Sequence, residues 1–231
     1  MQRKKEITLG LDTSGAPLLV AATDGCKTVA RRRGGIKQER LLFPALNSAL
    51  AALGGGLSDI KRILIVRGPG RFTGIRISLT FASMLKYLNK TGVRGVTVFE
   101  VLRYQAGKSA AFAAWQKKNP SGALGVVLHA FRQEYFLQIF DGTHAEPQWL
   151  TLDELQRALA AYPRPLFLAG TGAEKAPLSS FLKGKFAWAR PQDCVVQPGS
   201  LLALAQDDTF LQNALEPLYL KPARFEQVAP K

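Results

Sequence analysis

Histidine and cysteine are scarce in this chain, at two each among 231 residues. Cys26 and Cys194 lie far apart and outside any ligand-like spacing, which excludes a zinc site and a disulfide-dependent secreted fold. His129 and His144 form no His-x-x-x-His pair, so a zincin-type protease is excluded. No Gly-x-Ser-x-Gly elbow occurs. Asp12 has no evident carboxylate mate for two-metal nuclease chemistry. No apolar run reaches the roughly 18 residues a membrane span needs. The charged start, Arg3-Lys4-Lys5-Glu6, is not followed by a signal-type apolar region. These absences together predict a cytoplasmic protein with no metal centre and no membrane partner.

Acid is also in short supply, with 17 Asp and Glu against 31 Lys and Arg and a net charge of +14. A basic surface favours phosphate-rich partners such as RNA. A solvated surface that touches no nucleic acid would carry the same charge. The rest of the composition is ordinary. Apolar residues make up 47%, and the 21 glycines and 13 prolines are spread along the chain, so a substantial core is expected and a long disordered tail is not.

The pattern predicts an α/β chain. Ile7 to Asp12 alternates like a strand, Pro17 to Thr23 is a second run, and Lys27 to Arg31 is a third. Asp24-Gly25 between the last two is a hairpin signal. Helical spacing follows over 38–53, where Leu42, Leu46, Leu50 and Leu53 share a face ahead of Gly54-Gly55-Gly56. Pro44 lies inside that pattern, which places the helix start near it or a kink at it. Arg62 to Val66 reads as a buried strand, Thr73 to Asn89 as a helix, Val93 to Phe99 as a strand and Val101 to Lys117 as a helix. The clearest break is 117–122. It divides an expected first lobe, 1–118, from a second, 119–231, whose tail is expected to pack back on the first. The second half echoes the first, with strands at 123–128, 135–140 and 165–169, a Thr151-x-x-Glu154 capping box and a late helical stretch from Leu201.

Two segments have the residue types for chemistry. Arg67-Gly68-Pro69-Gly70-Arg71-Phe72-Thr73-Gly74-Ile75-Arg76 lies between a strand and a helix whose expected N-cap is Thr73. Its backbone N–H groups, the helix dipole and Arg76 suit an anion. A tight turn in which glycine only permits close packing has the same sequence. Asp12-Thr13-Ser14-Gly15 could place a carboxylate near a metal-bound phosphate, or form an Asx turn. The two early helices are also apolar on more than one stripe, which fits either a partner surface or burial on both sides. Between Asp59 and Glu100 stand eight cations and no acid: Lys61, Arg62, Arg67, Arg71, Arg76, Lys86, Lys90 and Arg94.

The run Gly68-Pro-Gly-Arg-Phe-Thr-Gly-Ile-Arg-Ile77 resembles the TsaB (YeaZ) family. The family pattern Gly-Pro-Gly-Ser-Phe-Thr-Gly-x-Arg-x-Gly is matched except at Arg71 and Ser78. Leu9 to Thr13, Glu39 to Leu42, the Arg132/Glu134/Phe136 spacing and Pro217 to Lys221 extend the match over nearly the whole chain. Departures are Lys37-Gln38, where the family often has His-Ser, and His129-Ala130-Phe131 in place of a typical Asp-Ala-Arg. The resemblance implies an ASKHA fold, actin-like, Hsp70-like and RNase H-like, with a reduced second lobe. It implies a non-catalytic scaffold subunit of the bacterial tRNA threonylcarbamoyladenosine machinery, which pairs with a catalytic TsaD-type subunit and is joined by a TsaE-type ATPase. It implies a homodimer when alone, and at most weak ATP or ADP and Mg binding at Asp12, Thr13, Gly68, Gly70, Thr73, Gly74 and Arg76. The implied partner patch is Leu42, Leu46, Ala49, Ile77, Phe81, Met84 and Leu85. Three other readings remain open at this point. The first is an ASKHA ATPase or phosphotransferase using Asp12 and Gly170-Thr171-Gly172. The second is a glycoprotease, which the lack of a histidine pair leaves almost unsupported. The third is a diverged paralogue that contacts tRNA through its basic face.

Overall fold

A computed structural model describes residues 5–15, 17–35, 37–142, 146–172, 186–207 and 215–221. The chain divides into two compact units, residues 1–101 with 196–218 and residues 102–195 with 219–231.

The first unit is built on a five-stranded sheet ordered β3-β2-β1-β4-β5. β1 is Ile7–Asp12, β2 Leu18–Thr23, β3 Thr28–Arg33, β4 Ile60–Val66 and β5 Gly92–Val96. β1 to β3 form an antiparallel meander, and β4 and β5 add in parallel on the other side of β1. Helices α1 (Gln38–Ala52) and α2 (Phe72–Asn89) cover one face. Leu42, Leu46 and Ala49 of α1 meet Phe81 and Leu85 of α2 over Leu9, Leu11, Val20 and Ile63. Helix α6 (Pro198–Gln206) covers the other face closely enough that a Cβ on Gly10 would lie 2.9 Å from the Cβ of Leu201. This double cover explains why β1 and β2 are buried at every position, whereas edge strand β3 alternates over its first three residues.

α1 runs through Pro44 rather than starting at it. It has no basic residue in its last turn. The ammonium groups of Lys5 and Lys27 instead donate to the carbonyls of Leu53 and Ala52, supplying from outside the cations a helix C-terminus favours. α2 begins at Phe72, with Arg71 rather than Thr73 at its N-cap.

The second unit repeats the same sheet. β6 (Ala123–His129), β7 (Glu134–Phe140), β8 (Gln148–Thr151), β9 (Leu166–Ala169) and β10 (Phe186–Trp188) are ordered β10-β9-β6-β7-β8. Again an antiparallel meander of three is followed by two parallel strands. α5 (Leu152–Ala161) packs Leu155 and Leu159 onto one face. On the other face Phe112 and Trp115 of α4 (Ala110–Lys118) meet Phe167 at ring-centroid distances of 5.3 and 5.5 Å. The helix expected over 101–117 is two helices. α3 (Val98–Gly107) ends before Ser109, whose hydroxyl caps α4 by accepting the N–H of Phe112. β5 accordingly stops at Val96, where Thr97 and Glu100 pair as a capping box for α3.

The box predicted at Thr151 and Glu154 opens α5. Glu154 accepts from the N–H and hydroxyl of Thr151, and these bonds hold its carboxyl below the usual range. Thr151→Ala is expected to cost about 1 kcal/mol, read as a lower urea midpoint with an unchanged m-value.

Candidate functional site

The segments singled out from the sequence meet at the carboxyl ends of β1 and β4, the edge where open α/β sheets commonly place ligands. The contact between them brings backbone against backbone, tied by one side-chain hydroxyl. The hydroxyl of Thr13 donates to the carbonyl of Gly74 at 2.7 Å, and the N–H of Arg71 donates to the carbonyl of Ser14 at 2.7 Å. A Cβ on Gly74 would overlap the Thr13 carbonyl, and one on Gly70 would overlap that of Ser14. Gly68 has a φ of +119°, and a Cβ there would collide with the carbonyl of Leu218, whose N–H donates to Arg67 at 2.8 Å. Of the two roles open to these glycines, close packing is the one this geometry displays.

Asp12 is buried and turned back on its own loop. Its Oδ1 accepts the Ser14 N–H at 2.9 Å and the Ser14 hydroxyl at 2.6 Å, which is an Asx turn. Burial pushes its carboxyl above the usual range, against the opposing pull of those two bonds and of Arg32. The folded state therefore holds this proton more tightly than the unfolded state. The stabilisation that comes with the proton is complete below the unfolded value and is lost as pH rises through the raised one. Lowering the pH from 7 toward about 4 should therefore shift the Tm difference between the parent and Asp12→Asn in the parent's favour. A difference independent of pH would show that Asp12 ionises normally.

A concavity of about 220 Å³ opens beside this contact, lined by Gln38, Glu39, Arg71, Phe72, Thr73, Gly74 and Ile77. Gln38 is 3% exposed and donates its amide to the carbonyl of Gly15, so this departure from the family pattern is an anchor between α1 and the first turn. Of the anion-site residues read from the sequence, Thr73 and Gly74 line the concavity and Asp12, Thr13, Gly68 and Gly70 do not. Arg76 places its guanidinium 3.9 Å from the centroid of the Phe72 ring.

The expected partner patch needs correction. Leu42, Leu46, Ala49, Phe81 and Leu85 are between 0 and 4% exposed, because their stripe faces the chain's own sheet. A side chain with no surface of its own cannot meet a partner. Ile77 is part-buried and Met84 is exposed. The outward apolar face is made by Met84, Tyr87 and Leu88 on α2 and by Phe43 on α1, whose ring meets Phe81 edge-on at 5.9 Å. The doubled apolar stripes of α2 signalled such a face, but periodicity alone did not say which residues pointed out.

In the second unit Gly170-Thr171-Gly172 repeats the packing role. Gly170 has a φ of +103°, and a Cβ there would overlap the carbonyl of Val127. His129 is held at Nε2 by the carbonyl of Arg132 at 2.8 Å and stands edge-on to Tyr135. His144 lies outside the described residues. Among the described residues no three His, Cys, Asp or Glu side chains gather as a metal site would require, and no helix is long and apolar enough to cross a membrane.

Residues 27–134 match the family model described as TsaD, tRNA N6-adenosine threonylcarbamoyltransferase. Over 187 residues the chain is 24% identical to the tRNA threonylcarbamoyladenosine biosynthesis protein TsaB of Buchnera aphidicola subsp. Schizaphis graminum, spanning 77% of this chain and 84% of that one. TsaB of Bacillus subtilis is 28% identical over 96 residues, 41% of this chain and 42% of its own. The chain is thus similar to TsaB (YeaZ) proteins. The fold agrees. YeaZ from Pseudomonas aeruginosa superposes with a TM-score of 0.64 at 21% identity, covering 93% of this chain and 100% of that one. The ethanolamine utilization protein EutJ from Carboxydothermus hydrogenoformans superposes at 0.51 with 10% identity, over 86% of this chain and 89% of its own. The chain thus has the ASKHA fold, with both sheets in one strand order.

Proposed function

We propose that this chain is a non-catalytic subunit in tRNA threonylcarbamoyladenosine biosynthesis, which binds and supports a TsaD-type catalytic partner and is joined by a TsaE-type ATPase. The observation that carries this reading is the outward apolar face of α1 and α2. Tyr87 is 77% exposed, Leu88 65% and Phe43 47%, on a chain whose relatives are TsaB proteins. Large apolar side chains grouped on one face mark a surface that is covered in use. The same face would join two copies of the chain when no partner is present. The reading places the complex in the cytoplasm, and any ATP, ADP or Mg it gives to this chain is weakly held.

The competing reading, an ATPase or phosphotransferase centred on Asp12, has less support. That carboxylate is buried and already accepts two bonds from Ser14. No acidic mate for a metal gathers near it among the described residues.

Light scattering after size exclusion, on the chain alone and mixed with the TsaD subunit of the same organism, tests the proposal. A homodimer that converts to a stoichiometric heterodimer is expected. A chain that ignores TsaD would overturn it. In the reconstituted complex, Asp12→Ala should keep turnover within about 3-fold, since a lost transition-state contact costs 10-fold for every 1.36 kcal/mol. Lost turnover with assembly intact would make Asp12 part of the chemistry.

A further inference from the structure

The charge of this protein is unevenly divided. Residues 1–101 hold 17 Lys and Arg against six Asp and Glu, net +11, while the other 130 hold 14 against 11, net +3. The fold then collects part of that excess along one edge of the first sheet. β3 runs antiparallel to β2, and β2 to β1, so Arg32 and Arg33 at the end of β3 reach the same edge as the ends of β1 and β4. The starts of α1 and α2 come to that edge as well, because Gln38 and Glu39 share a concavity with Arg71 and Thr73. Lys37, Arg40, Arg71 and Arg76 therefore join Arg32 and Arg33 there, and all six are exposed. Glu39 is the exposed acid among them.

Two of these cations, and part-buried Arg31 beside them on β3, are held in ways that keep their charge. Arg31 donates to the hydroxyl of Ser48 at 2.9 Å, Arg32 to the carbonyl of Val196 at 2.9 Å and Arg33 to the carbonyl of Arg32 at 3.2 Å. A carbonyl or hydroxyl fixes a guanidinium without cancelling its field, so the edge presents ordered positive charge to an incoming polyanion. β3 is also an edge strand, and its three consecutive arginines alternate between the two faces of the sheet. The second ingredient is Phe72. It is 51% exposed at the mouth of the concavity, with the Arg76 guanidinium stacked on its ring. An exposed aromatic backed by a cation offers a platform to an unpaired base. Duplex DNA keeps its bases stacked inside, and an acidic polypeptide has none to place there.

We propose that this edge binds a single RNA strand, with Arg32, Arg33, Lys37, Arg40 and Arg71 on phosphates and the Phe72–Arg76 stack on an unpaired base. This goes beyond the scaffold role and does not depend on it. The apolar face of α2 centres on Met84, Tyr87 and Leu88, and Leu88 lies 16 residues along the helix from Phe72, roughly 24 Å at the helical rise. An RNA strand and a protein partner would thus engage different ends of α2.

Fluorescence anisotropy with a fluorescein-labelled single-stranded RNA of about 16 nucleotides tests this. Duplex DNA of equal length and polyglutamate of equal charge serve as competitors. Five phosphate contacts predict a slope of log K against log salt near −3.5. Arg33→Gln/Lys37→Gln/Arg71→Gln should weaken binding at least about 10-fold and reduce the slope by about 2. Lys61→Gln/Lys86→Gln/Lys90→Gln removes equal charge from the opposite end of the sheet and should stay within about 2-fold. Phe72→Ala should weaken the single strand about 10-fold and leave duplex DNA unaffected. Thermal melts of each variant confirm that these substitutions, all at exposed positions but part-buried Lys61, leave the fold intact. No binding at low salt would overturn the proposal, and so would equal losses in the two triple variants. Polyglutamate binding as tightly as RNA, with Phe72→Ala silent, would make the edge a site for an acidic protein instead. Heterodimer formation with TsaD is read separately, so failure of either proposal leaves the other standing.

Discussion

Gly74→Ala should destabilise this protein by about 3 kcal/mol or more, although alanine is the better helix former by about 1 kcal/mol. Gly74 sits in the first turn of α2 and is buried against the end of β1. The added methyl would overlap the carbonyl oxygen of Thr13 and crowd Oε1 of Gln38 at 2.7 Å. The first of these is backbone, fixed between β1 and an Asx turn, and cannot swing aside as a side-chain end could. To admit the methyl, α2 must move off the sheet. That would break the Thr13–Gly74 bond and loosen Phe81 and Leu85 from the core. Gly199→Ala is the matched control, an exposed glycine in the first turn of α6 with nothing within 4 Å of its Cβ direction. It should be neutral or stabilising by up to about 1 kcal/mol. Urea unfolding of both variants decides the matter. If Gly74→Ala tracks Gly199→Ala, the loop is not packed on β1, and the anion-binding role of its glycines regains its footing.

That contrast also shows where the sequence could be read and where it could not. β1, β2 and the capping box at Thr151 were legible because each is local: a hydrophobic run with a turn, or a hydroxyl three residues before a glutamate. The repeat of one strand order in two sheets was legible only as an echo. β8 and β10 are short, at four and three residues, and each stands at an edge of the second sheet with a single neighbour. The Gly-rich loop was ambiguous because anion binding and close packing ask for the same residue. The choice lies in the Thr13 and Ser14 carbonyls some 60 residues earlier, which no local pattern reports. The helix faces failed for a related reason. Both α1 and α2 have two apolar stripes, and a stripe of Leu and Ala looks the same facing a sheet as facing a partner. Arg71 at the N-cap of α2, where Thr73 was expected, follows from the same tertiary contact. Its N–H is taken by Ser14, and the helix starts one residue later.

Leu88→Asp and Tyr87→Asp are expected to weaken association with TsaD by at least roughly 30-fold while leaving the fold intact, and Leu46→Asp is expected to unfold the chain. The two outcomes separate the outward stripe from the inward one. Leu88 and Tyr87 already stand mostly in water, so a carboxylate there is solvated in the free chain and costs little. On docking it must be stripped of water against apolar surface, a penalty of several kcal/mol where no cation receives it, and Leu88 is the cleaner test because Lys90 stands 5.7 Å from the centroid of the Tyr87 ring. Substitution at the centre of such an interface typically weakens binding by about 2 kcal/mol or more, roughly 30-fold in Kd. Leu46 is fully buried among Leu9, Val20 and Ala45, so a carboxylate there pays the same penalty in folding itself. That cost is comparable to the whole stability of an ordinary domain, about 5–15 kcal/mol. Near-UV circular dichroism reads the fold, and light scattering with TsaD reads the assembly. Leu88→Asp with native dichroism and an unchanged heterodimer would move the partner surface off α2. Phe43 would then be the next residue to change, since it lies on the same pair of helices and meets Phe81 of α2 edge-on.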